Sequence, residues 1–120
     1  MEEHMSKVEI YHNPRCSKSR KTLELLKDKG LEPEVIEYLK TPPAAKTLEK
    51  LLDQLGMTPI ELMRTRESIF KELKLGGGDV SDEQLVGAMV AHPVLIERPI
   101  VVSGGKARLG RPPEQVLEIL

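Results

Sequence analysis

Cys16 is the only cysteine of the chain, and it stands in Tyr11-His12-Asn13-Pro14-Arg15-Cys16-Ser17-Lys18-Ser19-Arg20-Lys21. The thiolate, not the thiol, is the nucleophile, so what surrounds the sulfur decides its chemistry. Arg15, Lys18, Arg20 and Lys21 place cations within about one helical turn either side. The alternating run Val8-Glu9-Ile10-Tyr11-His12 reads as a strand that breaks at Asn13-Pro14, and a helix-compatible run starts just after the sulfur. This order predicts a thiol at a strand-to-helix turn, beside unpaired amides and the positive end of the helix dipole. Those groups favour the thiolate and attract an oxyanion as well. Lone cysteines are more often inert, buried hydrophobes. Here the residues that follow, Ser17, Lys18, Ser19 and Arg20, are all polar and argue for a reactive one.

Three blocks must position this segment. Residues 8 to 38 read as strand, helix and strand, with Leu23, Leu26 and Thr22 as the inward stripe of the helix and Gly30 as its stop. Glu34-Val35-Ile36-Glu37-Tyr38 lies too far from the first strand for a hairpin, so a right-handed crossover between parallel strands is expected. Residues 41 to 97 read as helical. Leu48, Leu51, Leu52 and Leu55 recur at helical spacing before Gly56, while Thr58-Pro59-Ile60-Glu61 and Ser81-Asp82-Glu83-Gln84 are capping-box patterns. Gly76-Gly77-Gly78 reads as a break, because no phosphate-loop Lys-Ser/Thr follows it. In the last block Gly104-Gly105 joins Ile100-Val101-Val102-Ser103 to Lys106-Ala107-Arg108-Leu109 as a hairpin, and Pro112-Pro113 opens a short terminal helix. The order β-α-β, helical insertion, β-β-α predicts an α/β fold with a mixed four-stranded sheet.

Composition narrows the function classes. With 120 residues, a single domain over 1–120 with a helical insertion at about 41–97 is expected. Residues 1–4, which include His4, resemble a cloning remnant ahead of a native start at Met5 and are set aside. A formal net charge of -1 makes the basic cluster at Cys16 local, and the near absence of aromatics removes stacking platforms, so no nucleic-acid partner is expected. No apolar run approaches the ~20 residues of a membrane span, and no secretory signal opens the chain. One cysteine excludes an internal disulfide framework and fits a reducing, cytoplasmic setting.

Tyr11-His12-Asn13-Pro14-x-Cys16-x-x-Ser19-Arg20, Thr41-Pro42-Pro43, His92-Pro93, Glu97-Arg98-Pro99-Ile100-Val101-Val102 and Arg111-Pro112 occur in this order over essentially the whole chain. Together they resemble the glutaredoxin-dependent arsenate reductase family, and its short members most. The resemblance implies a thioredoxin-like fold and the reduction of arsenate to arsenite. It also implies glutathione as co-substrate, glutaredoxin as protein partner, and no metal or bound organic cofactor. By the same resemblance Cys16 attacks the arsenic, giving a thiol-arsenate adduct, and Arg64, Arg98 and Arg111 bind the anion. Arginine suits that task, since it is always charged and presents a planar fork of donors. The family's matching histidine makes His12 a candidate to stabilise the thiolate when protonated. Ser19 is a candidate hydrogen-bond partner of the sulfur, and Pro99 the candidate cis-proline facing the active-site turn. With one cysteine the chain has no resolving thiol, so the other sulfurs must come from partners.

Each supporting residue also has a plainer reading. His12 can be a strand-end polar group, His92 a helix-terminal group before Pro93, Asn13 a turn residue, and any single arginine a solvated one. Arg66 stands close enough to Arg64 to substitute for it. Around the cysteine, Ser17-Lys18 replace a Gly-Thr pair and Arg15 a small residue of the best-studied pattern. A glutathione-dependent thiol transferase on the same fold therefore stays open, because it needs Cys16 but not the arginines. A non-enzymatic regulator resembling Spx usually carries Cys-x-x-Cys, and Ser19 occupies its second position. The phosphatase-like type of arsenate reductase needs an arginine where Thr22 stands.

Overall fold

The computed structural model describes residues 7–120, so the expectation for residues 1–4 lies outside the described residues. The chain divides into two compact units. One comprises the described residues up to Thr41 together with Arg98–Leu120, and the other comprises Pro42–Glu97.

The first unit is an α/β layer. Its strands are β1 (Val8–His12), β2 (Glu34–Glu37), β3 (Ile100–Ser103) and β4 (Lys106–Leu109), in the sheet order β2-β1-β3-β4. β1 pairs parallel with β2, Ile10 opposite Val35, and antiparallel with β3, Ile10 opposite Val101. This is the mixed four-stranded sheet the block order predicts. Gly104 and Gly105 turn β3 into β4 with φ of 60° and 81°, backbone that only glycine adopts without strain.

Alternation along β1 sends Val8 and Ile10 to one face, where they meet Leu26, Val101 and Val116 in a common core. His12 falls on that same face by the period of two. Helix α1 (Ser17–Asp28) covers it, and its buried stripe is Ser19, Thr22 and Leu26. Leu23, expected in the stripe, is only partly buried at the margin of the core. The fully buried positions nearer the N-terminus are polar because each finds a hydrogen bond. Thr22 Oγ1 donates to the Lys18 carbonyl at 2.7 Å, and Ser19 is described below. The terminal helix over Pro113–Ile119 is 3₁₀ and not α. Val116 and Ile119, three residues apart, eclipse on that geometry and both meet the core.

The second unit holds helices α2 (Ala45–Leu55), α3 (Pro59–Leu62), α4 (Ser68–Glu72) and α5 (Asp82–Ala91). Leu48, Leu51 and Leu52 of α2 are buried, as are Leu85, Val86 and Met89 of α5. Gly56 ends α2 in the left-handed region, and the boxes at Thr58 and Ser81 start α3 and α5 as their patterns predict. One feature departs from an all-helical block. Met63 bridges Ile96 antiparallel, with the Arg64 amide on the Leu95 carbonyl and the Glu97 amide on the Leu62 carbonyl, each at 2.8 Å. Leu62 ends α3 and Leu95 ends the 3₁₀ turn Pro93–Leu95, so two carbonyls left without partners at helix ends accept these amides.

Candidate active site

Cys16 occupies the N-cap position of α1, with φ -92° and ψ 123°. Its amide donates to the Asn13 carbonyl and its own carbonyl accepts the Arg20 amide, both at 3.0 Å, which ties the turn to the first helical bond. Asn13 Oδ1 accepts the Arg15 amide at 3.0 Å, the turn-forming use of asparagine. The amides that open α1 after Cys16 have no acceptor within the helix, as at any helix start. The thiol is free and partly exposed. Arg15, Lys18 and Lys21 are exposed, and the first turn of α1 holds no acidic residue. Arg20 turns back, its Nη1 donating to the Pro14 carbonyl at 2.9 Å. The setting is cationic and open.

The sheet register brings two arginines to the same end. Ile100 at the start of β3 lies opposite Tyr11 near the end of β1 and opposite Leu109 at the end of β4. Arg98, just ahead of β3, and Arg111, just after β4, therefore flank the end of the sheet from which the Cys16 turn leaves β1. Both precede cis-prolines, Pro99 and Pro112. The first was expected from the sequence and the second was not. Arg111 Nη1 donates to the Arg98 carbonyl at 3.2 Å.

Gly110, which the sequence does not single out, packs where no side chain fits. A Cβ there would collide with Thr22 Oγ1 of α1 and Pro99 Cγ, and its amide donates to the Pro99 carbonyl at 3.0 Å. Its only signal in the sequence is a glycine immediately ahead of Arg-Pro.

His12 is buried, and its Nδ1 lies 2.6 Å from the Oγ of fully buried Ser19. Ser19 Oγ also accepts the Asn13 amide at 3.0 Å. Ser19 is thus engaged with the histidine and the turn backbone, where the sequence suggested a bond to the sulfur. Burial pushes the His12 pKa below the usual histidine value; Arg20 and Lys27 push it the same way and Glu37 opposes them. The expected protonated His12 is therefore disfavoured by its surroundings.

Arg64 belongs to the helical unit. Its Nε donates to Glu67 at 3.0 Å and its Nη1 to Glu97 at 3.1 Å, with all three side chains roughly a quarter exposed. Arg66 is exposed. Among the described residues no three His, Cys, Asp or Glu side chains group so as to hold a metal ion, and no helix is long and apolar enough to cross a membrane.

Comparison with known proteins bears on the family and the fold. The chain is 62% identical over 114 residues to the uncharacterised protein YfgD of Escherichia coli K12, covering 94% of this chain and 96% of that one. It is 51% identical to an arsenate reductase of Yersinia enterocolitica, over 97% of this chain and 82% of the relative. The solved structure of an arsenate reductase from Vibrio cholerae is 55% identical and superimposes with a TM-score of 0.94, covering 98% of this chain and all of that one. The α/β fold is accordingly the thioredoxin-like one of these reductases. The family profile of ArsC matches residues 11–119, and the chain belongs to the ArsC family.

Proposed function

We propose that the protein reduces arsenate to arsenite through Cys16. One observation supports this above the others: a partly exposed thiol at a cationic helix start shares the end of the sheet with Arg98 and Arg111. That combination pairs a nucleophile with planar donors suited to a tetrahedral oxyanion. The arsenate reductases among its relatives support the same substrate.

In the proposed reaction the Cys16 sulfur bonds to arsenic and an arsenate oxygen leaves as water. Arg98 and Arg111, with Arg64 as the third arginine by family resemblance, neutralise the anion. A glutathione thiolate then bonds to the Cys16 sulfur. The electron pair of the breaking S–As bond stays on arsenic, taking it from the +5 to the +3 state as arsenite is released. Two thiols have become one disulfide, so the electrons balance. Glutaredoxin returns Cys16 to the thiol by exchange, which a one-cysteine chain cannot do for itself. The setting this requires is a reducing one, such as the cytoplasm.

The engagement of Arg64 with Glu67 and Glu97 favours a second reading, a glutathione-dependent thiol transferase, in which the arginines are dispensable. Arsenite formation in a glutathione and glutaredoxin coupled assay, with each thiol omitted in turn, separates the two. Arsenite dependent on both thiols supports the reductase, and glutathionylation of Cys16 without arsenite supports the transferase.

A further inference from the structure

We infer that Gly110 is a positioning residue: having no side chain, it lets α1 seat directly against the end of the hairpin, and so fixes where Arg98 and Arg111 stand relative to Cys16. Gly110 is buried and immediately precedes Arg111. A Cβ at this place would stand 3.1 Å from Thr22 Cγ2 and 2.8 Å from Pro99 Cγ, and closer still to Thr22 Oγ1. The φ of Gly110 lies outside the left-handed region, so a side chain is excluded by closeness and not by backbone conformation.

Thr22 cannot turn aside. It is fully buried and β-branched, and its Oγ1 is held by the Lys18 carbonyl at 2.7 Å. It sits on the helix that Cys16 caps, so the thiol and the threonine belong to one rigid piece. On the other side the Gly110 amide donates to the Pro99 carbonyl at 3.0 Å, and Arg111 Nη1 donates to the Arg98 carbonyl at 3.2 Å. Gly110-Arg111 and Arg98-Pro99 are thus a tied pair, and Thr22 is the part of α1 on which it rests. A methyl group at position 110 would be a wedge between the helix and this pair. Overpacking of that kind is relieved by backbone shifts, and the two arginines lie next to the wedge. That their displacement weakens anion binding rests on the arsenate reductase reading, whereas the close seat does not.

The test is alkylation of Cys16 by iodoacetamide with and without arsenate, in wild type, Gly110→Ala, Thr22→Ala and Thr22→Ala/Gly110→Ala. Arsenate held by the arginines shields the sulfur, so the arsenate concentration that halves the alkylation rate reads anion binding apart from turnover. It should rise about tenfold in Gly110→Ala, and about threefold in Thr22→Ala, which loosens the seat instead of crowding it. In the double variant the added methyl fills part of the space the threonine leaves, so the value should fall below that of Thr22→Ala. The rate without arsenate should stay within about threefold throughout, whereas a general loosening of the fold would raise it. Unchanged protection in a folded Gly110→Ala, or a double variant no better protected than Thr22→Ala, overturns the inference. Should Gly110→Ala not fold, Thr22→Ala and the double variant decide by themselves, and a double variant that fails to fold where Thr22→Ala folds overturns it too. Arsenate that leaves wild-type Cys16 unprotected also overturns it. The expected pattern of protection in a protein that makes no arsenite would uphold the seat and overturn the arsenate reductase reading.

Discussion

The Nη1 of Arg111 donates to the backbone carbonyl of Arg98 at 3.2 Å, so one cation of the site holds the main chain that carries the other. The two lie thirteen residues apart, on opposite sides of the β3–β4 hairpin. Their meeting follows from the antiparallel register that sets Ile100 against Leu109. Substitution of Arg111 should accordingly be felt at Arg98.

Arg98→Lys keeps the charge and loses the planar fork. The expected cost in arsenate binding is about 1.5–3 kcal/mol, the worth of a charge-assisted hydrogen bond. Glutathionylation of Cys16 by oxidised glutathione should change much less. Arg111→Ala should raise the arsenate KM by at least as much, because it removes a donor and releases the Arg98 carbonyl. Kinetics of both reactions on each variant check this, and equal losses in the two reactions would count against an oxyanion clamp.

Arg64 gives a contrasting expectation. Its guanidinium is already shared by Glu67 and Glu97, so Arg64→Ala should move the arsenate KM less than Arg98→Lys does. The ion pairs are partly exposed, and a double-mutant cycle between Arg64→Ala and Glu97→Gln should give a coupling of about 0.5–1 kcal/mol that shrinks at high salt. Denaturant titrations at low and high ionic strength measure it. A coupling near zero at low salt would mean that the pair does not hold Arg64.

The contrast between these arginines shows what the sequence could and could not disclose. Local chemistry was legible: Asn13-Pro14 ended β1, Gly104-Gly105 turned the hairpin, and the boxes at Thr58 and Ser81 started their helices. Each depends on residues a few places apart. The Arg64–Glu97 pair spans 33 residues and follows from the Met63–Ile96 bridge, which leaves no periodic trace. Ser19 read as a first-turn residue within reach of the sulfur, because its burial against His12 Nδ1 depends on how α1 packs on β1. Gly110 was missed for the same reason: the crowding by Thr22 and Pro99 is tertiary.

The lowered pKa of His12 makes stability depend on pH with a definite sign. Its folded-state value lies below the ordinary ~6.5 of the unfolded chain, so between the two the unfolded state binds more protons. Stability contributed by neutral His12 is therefore fully present above about pH 6.5 and is lost as the pH falls through that window toward the folded-state value. Urea midpoints of wild type and His12→Gln at several pH values should diverge in that direction, with wild type losing more on acidification. A wild type that gains stability relative to His12→Gln on acidification would mean that the folded state favours the cation.

Cys16→Ser tests whether the Cys16 sulfur is the nucleophile, since it is nearly isosteric and removes only that thiol. Arsenite should be measured in the glutathione and glutaredoxin coupled assay for wild type and for Cys16→Ser, with the fold of each checked by circular dichroism. Arsenite is expected from the wild type only when both thiols are present, and none above background from the folded variant. Appreciable arsenite from Cys16→Ser would contradict the covalent mechanism.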